Sequence, residues 1–256
     1  MNLYEAVSIR HSVRKYRMEA IEDTIIQGIF SLLEKMESLF PKVKTEISIT
    51  ENLSQKAKLK GLVNVTAPYY LSIYSEKKEK SDMNAGYIMQ QLSLYLMTQG
   101  IGSCFMGMAK KKDRKMEEAG LEFVITMAFG YPKTAFLQSP KGTKRLSLEA
   151  LCVYKEQPKK HVKELLEAAR LAPSSLNSQP WCFAVYENRF HIFSKKPVVG
   201  HNALNKFNEF NFGIMLANCM LAAEELWIDV DLIKLDNITH KTLPNNQYVI
   251  SLLIKA

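Results

Sequence analysis

Two arginines and a hydroxyl at alternate positions, in Ile9-Arg10-His11-Ser12-Val13-Arg14-Lys15-Tyr16, are the first residues whose types and spacing suit chemistry. On an extended segment Arg10, Ser12 and Arg14 point to one face and offer two planar cations and a hydroxyl to a single anion. The same residues also read as an exposed basic amino-terminal segment. A second set is Ala172-Pro173-Ser174-Ser175-Leu176-Asn177-Ser178-Gln179-Pro180-Trp181. Amides and hydroxyls held between two prolines suit the edge of a heteroaromatic ring; equally, the prolines read as a helix stop and Trp181 as a core anchor. The third is Gln99-Gly100-Ile101-Gly102-Ser103-Cys104-Phe105-Met106-Gly107, whose three glycines permit close backbone approach to a ligand or simply end a helix. These glycines follow a helix instead of joining a strand to one, so this is no dinucleotide-binding fingerprint.

The elements that must position these groups follow from hydrophobic periodicity. Helical spacing predicts helices over Asp23–Leu39, Asp82–Gln99, Lys159–Leu171 and Asn208–Trp227. Runs of branched and aromatic residues predict strands over Ala67–Tyr74, Phe123–Phe129, Trp181–Tyr186 with a hairpin mate at His191–Phe193, and Gln247–Ile254. The order helix, strand, long helix, strand therefore occurs twice, before and after about residue 150, and Asn84-Ala85-Gly86 recurs as Asn211-Phe212-Gly213. Two fused copies of one α+β unit, 1–150 and 151–256, would pack as an intramolecular pseudo-dimer, burying between the halves what a homodimer buries between subunits. The expected chain is thus a monomer.

Composition narrows the classes. At 256 residues, 47% apolar and 23% charged, the chain has ample core, which excludes disorder and small disulfide scaffolds. Cys104, Cys152, Cys182 and Cys219 are too far apart for a zinc site or redox dithiol, and imply free thiols in a reducing compartment. Met83–Ala109 carries no formal charge, but its Asn, Gln, Ser and Thr residues favour a core helix over a membrane span. With no signal-peptide apolar run in MNLYEAVSIR, the expectation is a cytoplasmic protein without a membrane partner. A net charge of +8 favours anionic partners. The Lys110–Lys115 cluster, followed by Glu117 and Glu118, reads as a solvated surface, and no nucleic-acid motif accompanies it, so no nucleic acid and no metal are expected.

Taken together, the motifs resemble the FMN-dependent nitroreductase family, and in particular its single-chain tandem-repeat branch. Arg10–Tyr16 matches its Arg-Arg/His-Ser-x-Arg/Lys-x-Phe/Tyr signature, and Glu167–Trp181 its Glu-Ala-Ala-x-x-Ala-Pro-Ser-x-x-Asn-x-Gln-Pro-Trp element. Gln99–Gly107 matches its Leu-Gly-Leu-Gly-Thr/Ser-Cys-Trp-x-Gly element, Gly130–Pro132 its Gly-Tyr-Pro, and Lys144-Arg145-Leu146, loosely, its basic Lys-x-Arg-Leu segment. The order departs: the Asn loop lies about 165 residues beyond the arginine motif it ordinarily follows. Each half keeps only its contribution to one of two sites, as a fused dimer would show.

The resemblance implies a nitroreductase-like α+β fold of two antiparallel-type sheet repeats and one FMN per chain at the interface of the halves. It implies that Arg10, Ser12, Lys144 and Arg145 hold the phosphate and ribityl end, that His11 reaches the phosphate or faces solvent, and that Arg14 lies near the pyrimidine edge, where a cation stabilises a reduced ring. Pro173, Ser174, Ser175 and Asn177 would contact ring and ribityl, with Gln179 and Trp181 bracing that loop. Cys104, Phe105, Met106 and Gly107 would present backbone N–H groups toward flavin N5. Cys104 is not read as a nucleophile, because no paired His is indicated. The open face would be lined from among Phe105, Tyr69, Tyr70, Phe207 and Phe210, for each of which core packing is the alternative. The implied activity is NAD(P)H-dependent: hydride passes to flavin N5 and then electrons pass to a nitroaromatic, quinone or similar small-molecule acceptor, with no catalytic protein acid or base. The alternatives are a non-catalytic flavin-binding carrier or sensor on the same fold, and a flavin-free scaffold.

Overall fold

The structure is a computed structural model that describes residues 1–57, 59–61, 65–134, 144–195, 206–236, 238, 243 and 246–255. Its contacts divide the chain into two compact units, Met1–Thr143 and Lys144–Ala256, which places Lys144 and Arg145 in the second.

In the first unit, α1 (Leu3–Ile9) starts at a capping box: Asn2 Oδ1 accepts from the Glu5 N–H at 2.8 Å and the Glu5 carboxylate accepts from the Asn2 N–H at 2.9 Å. The amphipathic α2 (Asp23–Lys35) buries Ile25 and Ile29. Strand β1 (Thr45–Glu51) leads through the two-residue β2 (Lys60–Gly61) to β3 (Tyr69–Ser75), buried along its whole length. The long α3 (Ser81–Thr98) is buried nearly all round, Asn84, Gln90, Gln91 and Ser93 included, so its apolar residues are spread over every face. Then follow β4 (Gly102–Met106), β5 (Ala109–Lys110), which pairs with β2, the exposed α4 (Arg114–Glu118), which carries part of the basic cluster, and β6 (Glu122–Gly130). The sheet order is β1-β3-β6-β4, antiparallel throughout.

The second unit has the short α5 (Leu148–Leu151), β7 (Cys152–Tyr154), α6 (Lys160–Arg170), β8 (Trp181–Val185), β9 (Arg189–Ser194), α7 (Asn208–Glu225), β10 (Val230–Ile233) and β11 (Gln247–Ile254). Its sheet order is β10-β11-β9-β8-β7. Read from β8, the order β8-β9-β11-β10 repeats β1-β3-β6-β4, and β7 is an additional parallel edge strand on β8.

The repeat extends to irregularities. The register between β3 and β6 shifts at Val124, and that between β9 and β11 shifts at Val249, in EFVIT and QYVIS respectively. A bulge at the same place in both sheets is a designed feature of the fold. Just beyond it, a buried polar pair crosses each sheet: Ser72 Oγ to Thr126 Oγ1 at 2.8 Å, and His191 Nδ1 to Ser251 Oγ at 2.6 Å. The two long helices end alike. The Ile101 N–H donates to Leu96 O and the Ile228 N–H to Ala223 O, both at 2.8 Å, across a left-handed residue that is Gly100 (φ 74°) in one unit and Trp227 (φ 55°) in the other.

The expected helices and strands are all present, each with at least one end shifted by one to four residues, apart from Gln247–Ile254, which is unshifted. Periodicity missed β1, β2, β4, β5, β7, β10, α1, α4 and α5. Gln99–Gly107, read as a glycine loop, is instead a helix stop followed by the edge strand β4, because Gly102 through Met106 pair with Thr126 through Gly130. Among the described residues no helix is long and apolar enough to cross a membrane.

Candidate functional site

The first unit gathers the arginine motif against β4. After α1, whose C-cap is Arg10, the chain turns extended and lies along the strand: the Val13 N–H donates to Ser103 O at 3.0 Å, and Ser12 bridges Ser103 in parallel. It continues beside the Gly-Tyr-Pro turn, where Tyr16 bridges Pro132 and the Lys133 N–H donates to Lys15 O. Tyr16, buried, locks this path by donating to Val13 O at 2.5 Å. Burial drives its phenol far above the ordinary range, so it remains a neutral donor.

Gly102 makes the approach possible. A Cβ there would lie 2.7 Å from the Val13 side chain. Two of the three glycines therefore serve the chain itself, Gly100 as the left-handed helix stop and Gly102 as the seat of Val13, where the sequence suggested room for a ligand.

Arg10, Ser12, Arg14 and Cys104 come together at this point. Burial pushes the Cys104 thiol up, while the positive charges of Arg14 and Arg10 and a hydrogen bond with Ser12 oppose that rise. The thiol stays neutral, which is a poor state for a nucleophile. Arg10 is buried and Arg14 exposed, so the two guanidiniums sit at different depths. His11 is turned back on α1, with Nδ1 3.2 Å from Ile9 O. Phe105 and Met106 continue β4, and Gly107 lies in the turn after it. Of the suggested open-face residues, Tyr69, Tyr70 and Phe210 are core side chains.

The second unit builds the other polar set. After α6, Pro173 and Ser174 lead into a single turn of 3-10 helix, Ser175–Asn177. Leu176, Asn177 and Gln179 all have left-handed backbone (φ 49°, 55° and 44°), a conformation that L side chains adopt only where neighbours impose it. Those neighbours are identifiable. The Gln179 N–H donates to Ser174 Oγ at 2.8 Å, and the buried Gln179 side chain accepts from the Leu146 N–H at 2.8 Å and donates to Asn177 O at 3.2 Å. Asn211, in the first turn of α7, accepts from the Ser175 N–H at 3.0 Å.

Lys144 and Arg145 join this loop. Arg145 donates from Nη1 to Asn177 Oδ1 and from Nε to Leu171 O, and Asn177 Nδ2 donates to Lys144 O. Leu176 projects into solvent at 86% exposure. The sequence had marked Asn211 only as a repeat landmark; its role as the anchor of the Ser175 loop was missed. A polar residue early in an otherwise apolar helix was the available signal.

The donor chemistry fits a phosphorylated heteroaromatic group. Two guanidiniums with a hydroxyl suit a phosphate, and a loop of amide and hydroxyl groups suits a ring edge. Among the described residues no group of His, Cys, Asp and Glu suits a metal ion.

A family model described as "Putative TM nitroreductase" matches residues 2–223, and the chain belongs to that family, whose description supports a general oxidoreductase function. The crystal structure of "a putative nitroreductase" from Thermotoga maritima MSB8 is similar over 99% of this chain and 94% of that one, at 22% identity and a TM-score of 0.69, which shows the shared fold. A nitroreductase family protein from Clostridium difficile 630 covers 61% of this chain with 100% of its own, at 17% identity and a TM-score of 0.49. An FMN-dependent nitroreductase from Clostridium difficile R20291 covers 57% with 98% of its own, at 15% identity and a TM-score of 0.44. No curated protein matches the sequence.

Proposed function

We propose that the protein is an FMN-dependent oxidoreductase that draws electrons from NAD(P)H and delivers them to a nitroaromatic, quinone or similar electron-poor small molecule. The observation that carries this reading is the gathering of Arg10, Ser12 and Arg14 beside Cys104 on β4, two cations at different depths and a hydroxyl, in a member of the nitroreductase family. In this reading Arg10 and Ser12 bind the phosphate, with Lys144 assisting, because a dianion needs several charge-assisted donors. His11 lends a donor to the phosphate, and Arg14 provides positive charge near the ring. The main chain of Cys104–Gly107 offers N–H donors, while Pro173, Ser174, Ser175 and Asn177 orient ring and ribityl. Bound FMN supplies the redox chemistry, accepting hydride and releasing electrons to the acceptor. No side chain has to move a proton. One FMN per chain, served by both polar sets, is part of the proposal, as is a monomeric, cytoplasmic enzyme.

The test is the visible spectrum and released flavin of the purified protein, with Arg10→Ala and Asn177→Ala as single variants. The expected result is about one FMN per chain, weakened in both variants although they lie in different units, and a bound flavin that NAD(P)H bleaches and a quinone reoxidises. No flavin after reconstitution would sink the reading. Flavin that resists bleaching would replace the enzyme with a carrier or sensor.

A further inference from the structure

Arg145 came to the site as a phosphate donor, yet its geometry serves the loop. Nη1 donates to Asn177 Oδ1 at 2.5 Å and Nε donates to Leu171 O at 3.2 Å. Two of the three guanidinium nitrogens are therefore directed at residues on either side of Pro173–Leu176. The stitching is reciprocal: Asn177 Nδ2 donates to Lys144 O at 2.7 Å, and the Leu146 N–H donates to Gln179 Oε1 at 2.8 Å. The loop needs such a clamp. Leu176, Asn177 and Gln179 occupy left-handed backbone, which is unfavourable for a side-chain-bearing residue, less so for Asn. Without outside restraint the chain would relax to ordinary backbone, and the Asn177 amide would move with it.

The surroundings of Arg145 fit a structural fork better than an anion site. It is partly buried, and burial together with the neighbouring Arg170 guanidinium lowers its hold on its proton. Arg170 is itself paired with Glu167. A lysine has one point charge and no planar fork, so it cannot replace the two-directional grip.

We infer that Arg145 is a positioning residue that holds Asn177 and its left-handed loop in place, and that it is not a phosphate ligand. The inference rests on the FMN reading for its effect on binding, but its effect on the loop does not depend on any flavin. It adds a division of labour within the basic segment: Lys144 is left to meet the phosphate while Arg145 shapes the ring-facing loop.

The experiment uses the full chain as wild type, Arg145→Met, Arg145→Lys, Asn177→Ala and the Arg145→Met/Asn177→Ala double variant. Each is titrated with FMN and with riboflavin, which lacks the phosphate. In parallel, thermolysin cleavage at the exposed Leu176 is followed in the flavin-free proteins. Arg145→Met is expected to weaken FMN and riboflavin by the same factor, on the order of 10-fold, the effect of a lost hydrogen-bond brace. Arg145→Lys does not restore binding, the double variant is no weaker than Asn177→Ala alone, and cleavage at Leu176 accelerates several-fold, on the order of the same factor. Loss of FMN affinity with riboflavin unchanged, or rescue by lysine, would show a phosphate contact and overturn the inference. So would unchanged cleavage at Leu176. A wild-type protein that binds neither flavin sinks the FMN reading, while the cleavage rates still decide whether Arg145 holds the loop.

Discussion

The two units share a sheet order, a bulge and a helix cap, and they differ most at one loop. In both, an asparagine early in the long helix accepts a main-chain N–H from the segment after the preceding amphipathic helix: Asn84 from Phe40 at 2.9 Å, Asn211 from Ser175 at 3.0 Å. This pairing sets Ser38-Leu39-Phe40-Pro41-Lys42 against Pro173-Ser174-Ser175-Leu176-Asn177. Both units have the anchor, and the second alone has the serine–asparagine lining. Unit by unit, the arginine motif and the Gly102 strand lie in the first and the serine–asparagine loop in the second, so neither carries a complete set. Packing follows the same divergence. In the second unit α6 buries Val162, Leu165, Leu166, Ala168 and Ala169, whereas in the first α2 buries only Ile25 and Ile29 and leaves a cavity of about 430 Å³ between itself and β1. Maintaining an anchor without its loop chemistry is what structural constraint alone requires, since each buried asparagine must still be paired.

Breaking the anchors tests this most strongly. Asn211→Leu and Asn84→Leu each leave a part-buried loop N–H without its acceptor, and should each lower unfolding free energy in urea by about 1–3 kcal/mol. Only Asn211→Leu should also weaken FMN, by about 10-fold or more, because only its loop carries the ring-facing groups. Equal FMN losses in both variants would remove the proposed difference between the loops.

The seat of the arginine motif comes next. Gly102→Ala places a methyl 2.7 Å from Val13 and should cost about 1–3 kcal/mol and displace Arg10 through Arg14 from β4. Adding Val13→Gly should recover much of the FMN affinity, read by titration, since the added methyl meets Val13 Cβ as well as its two methyls and only glycine removes all three. A double variant that binds no better than Gly102→Ala would show that the glycine acts otherwise.

The helix caps give a smaller, opposite-signed pair. Trp227 is left-handed and 96% exposed, so Trp227→Gly should stabilise by about 1 kcal/mol, whereas Gly100→Ala at the equivalent position should destabilise by about 1 kcal/mol, each read from the urea midpoint.

The weakest effect near neutral pH concerns the thiols. Burial raises all four, with Cys152 and Cys219 pushed up to about 12. Since these folded values exceed the unfolded ones, the unfolded chain loses its thiol protons first. Their contribution to stability is therefore full below about pH 8.5 and falls as pH rises toward 12. Urea midpoints measured from pH 8 to 10 should decline, and native protein at pH 8 should react slowly with a disulfide reagent. Rapid reaction of any of the four would contradict their burial.

Long periodic elements and the three polar motifs were legible because both are local: helical spacing in Lys159–Leu171, branched runs in Gln247–Ile254, and residue types within ten positions of one another. Short or edge strands were not. TEISITE alternates Ile47 and Ile49 with polar residues but has only those two apolar positions, and VDLI is four residues long, so each offers too short an apolar run to stand out. At the candidate site the local chemistry was readable, whereas which groups meet was not.

The sequence by itself determined the repeat, the family resemblance, and the charge and hydrogen-bonding types available to a ligand. Tertiary structure alone decided that Gly102 seats Val13, that Asn211 anchors Ser175, that the bulges fall at Val124 and Val249, and that Arg145 grips Asn177. The reason is physical. Propensity and periodicity act over a few residues, but hydrogen-bond partners and close packing are chosen among groups distant in the chain, by the shape into which the whole unit folds.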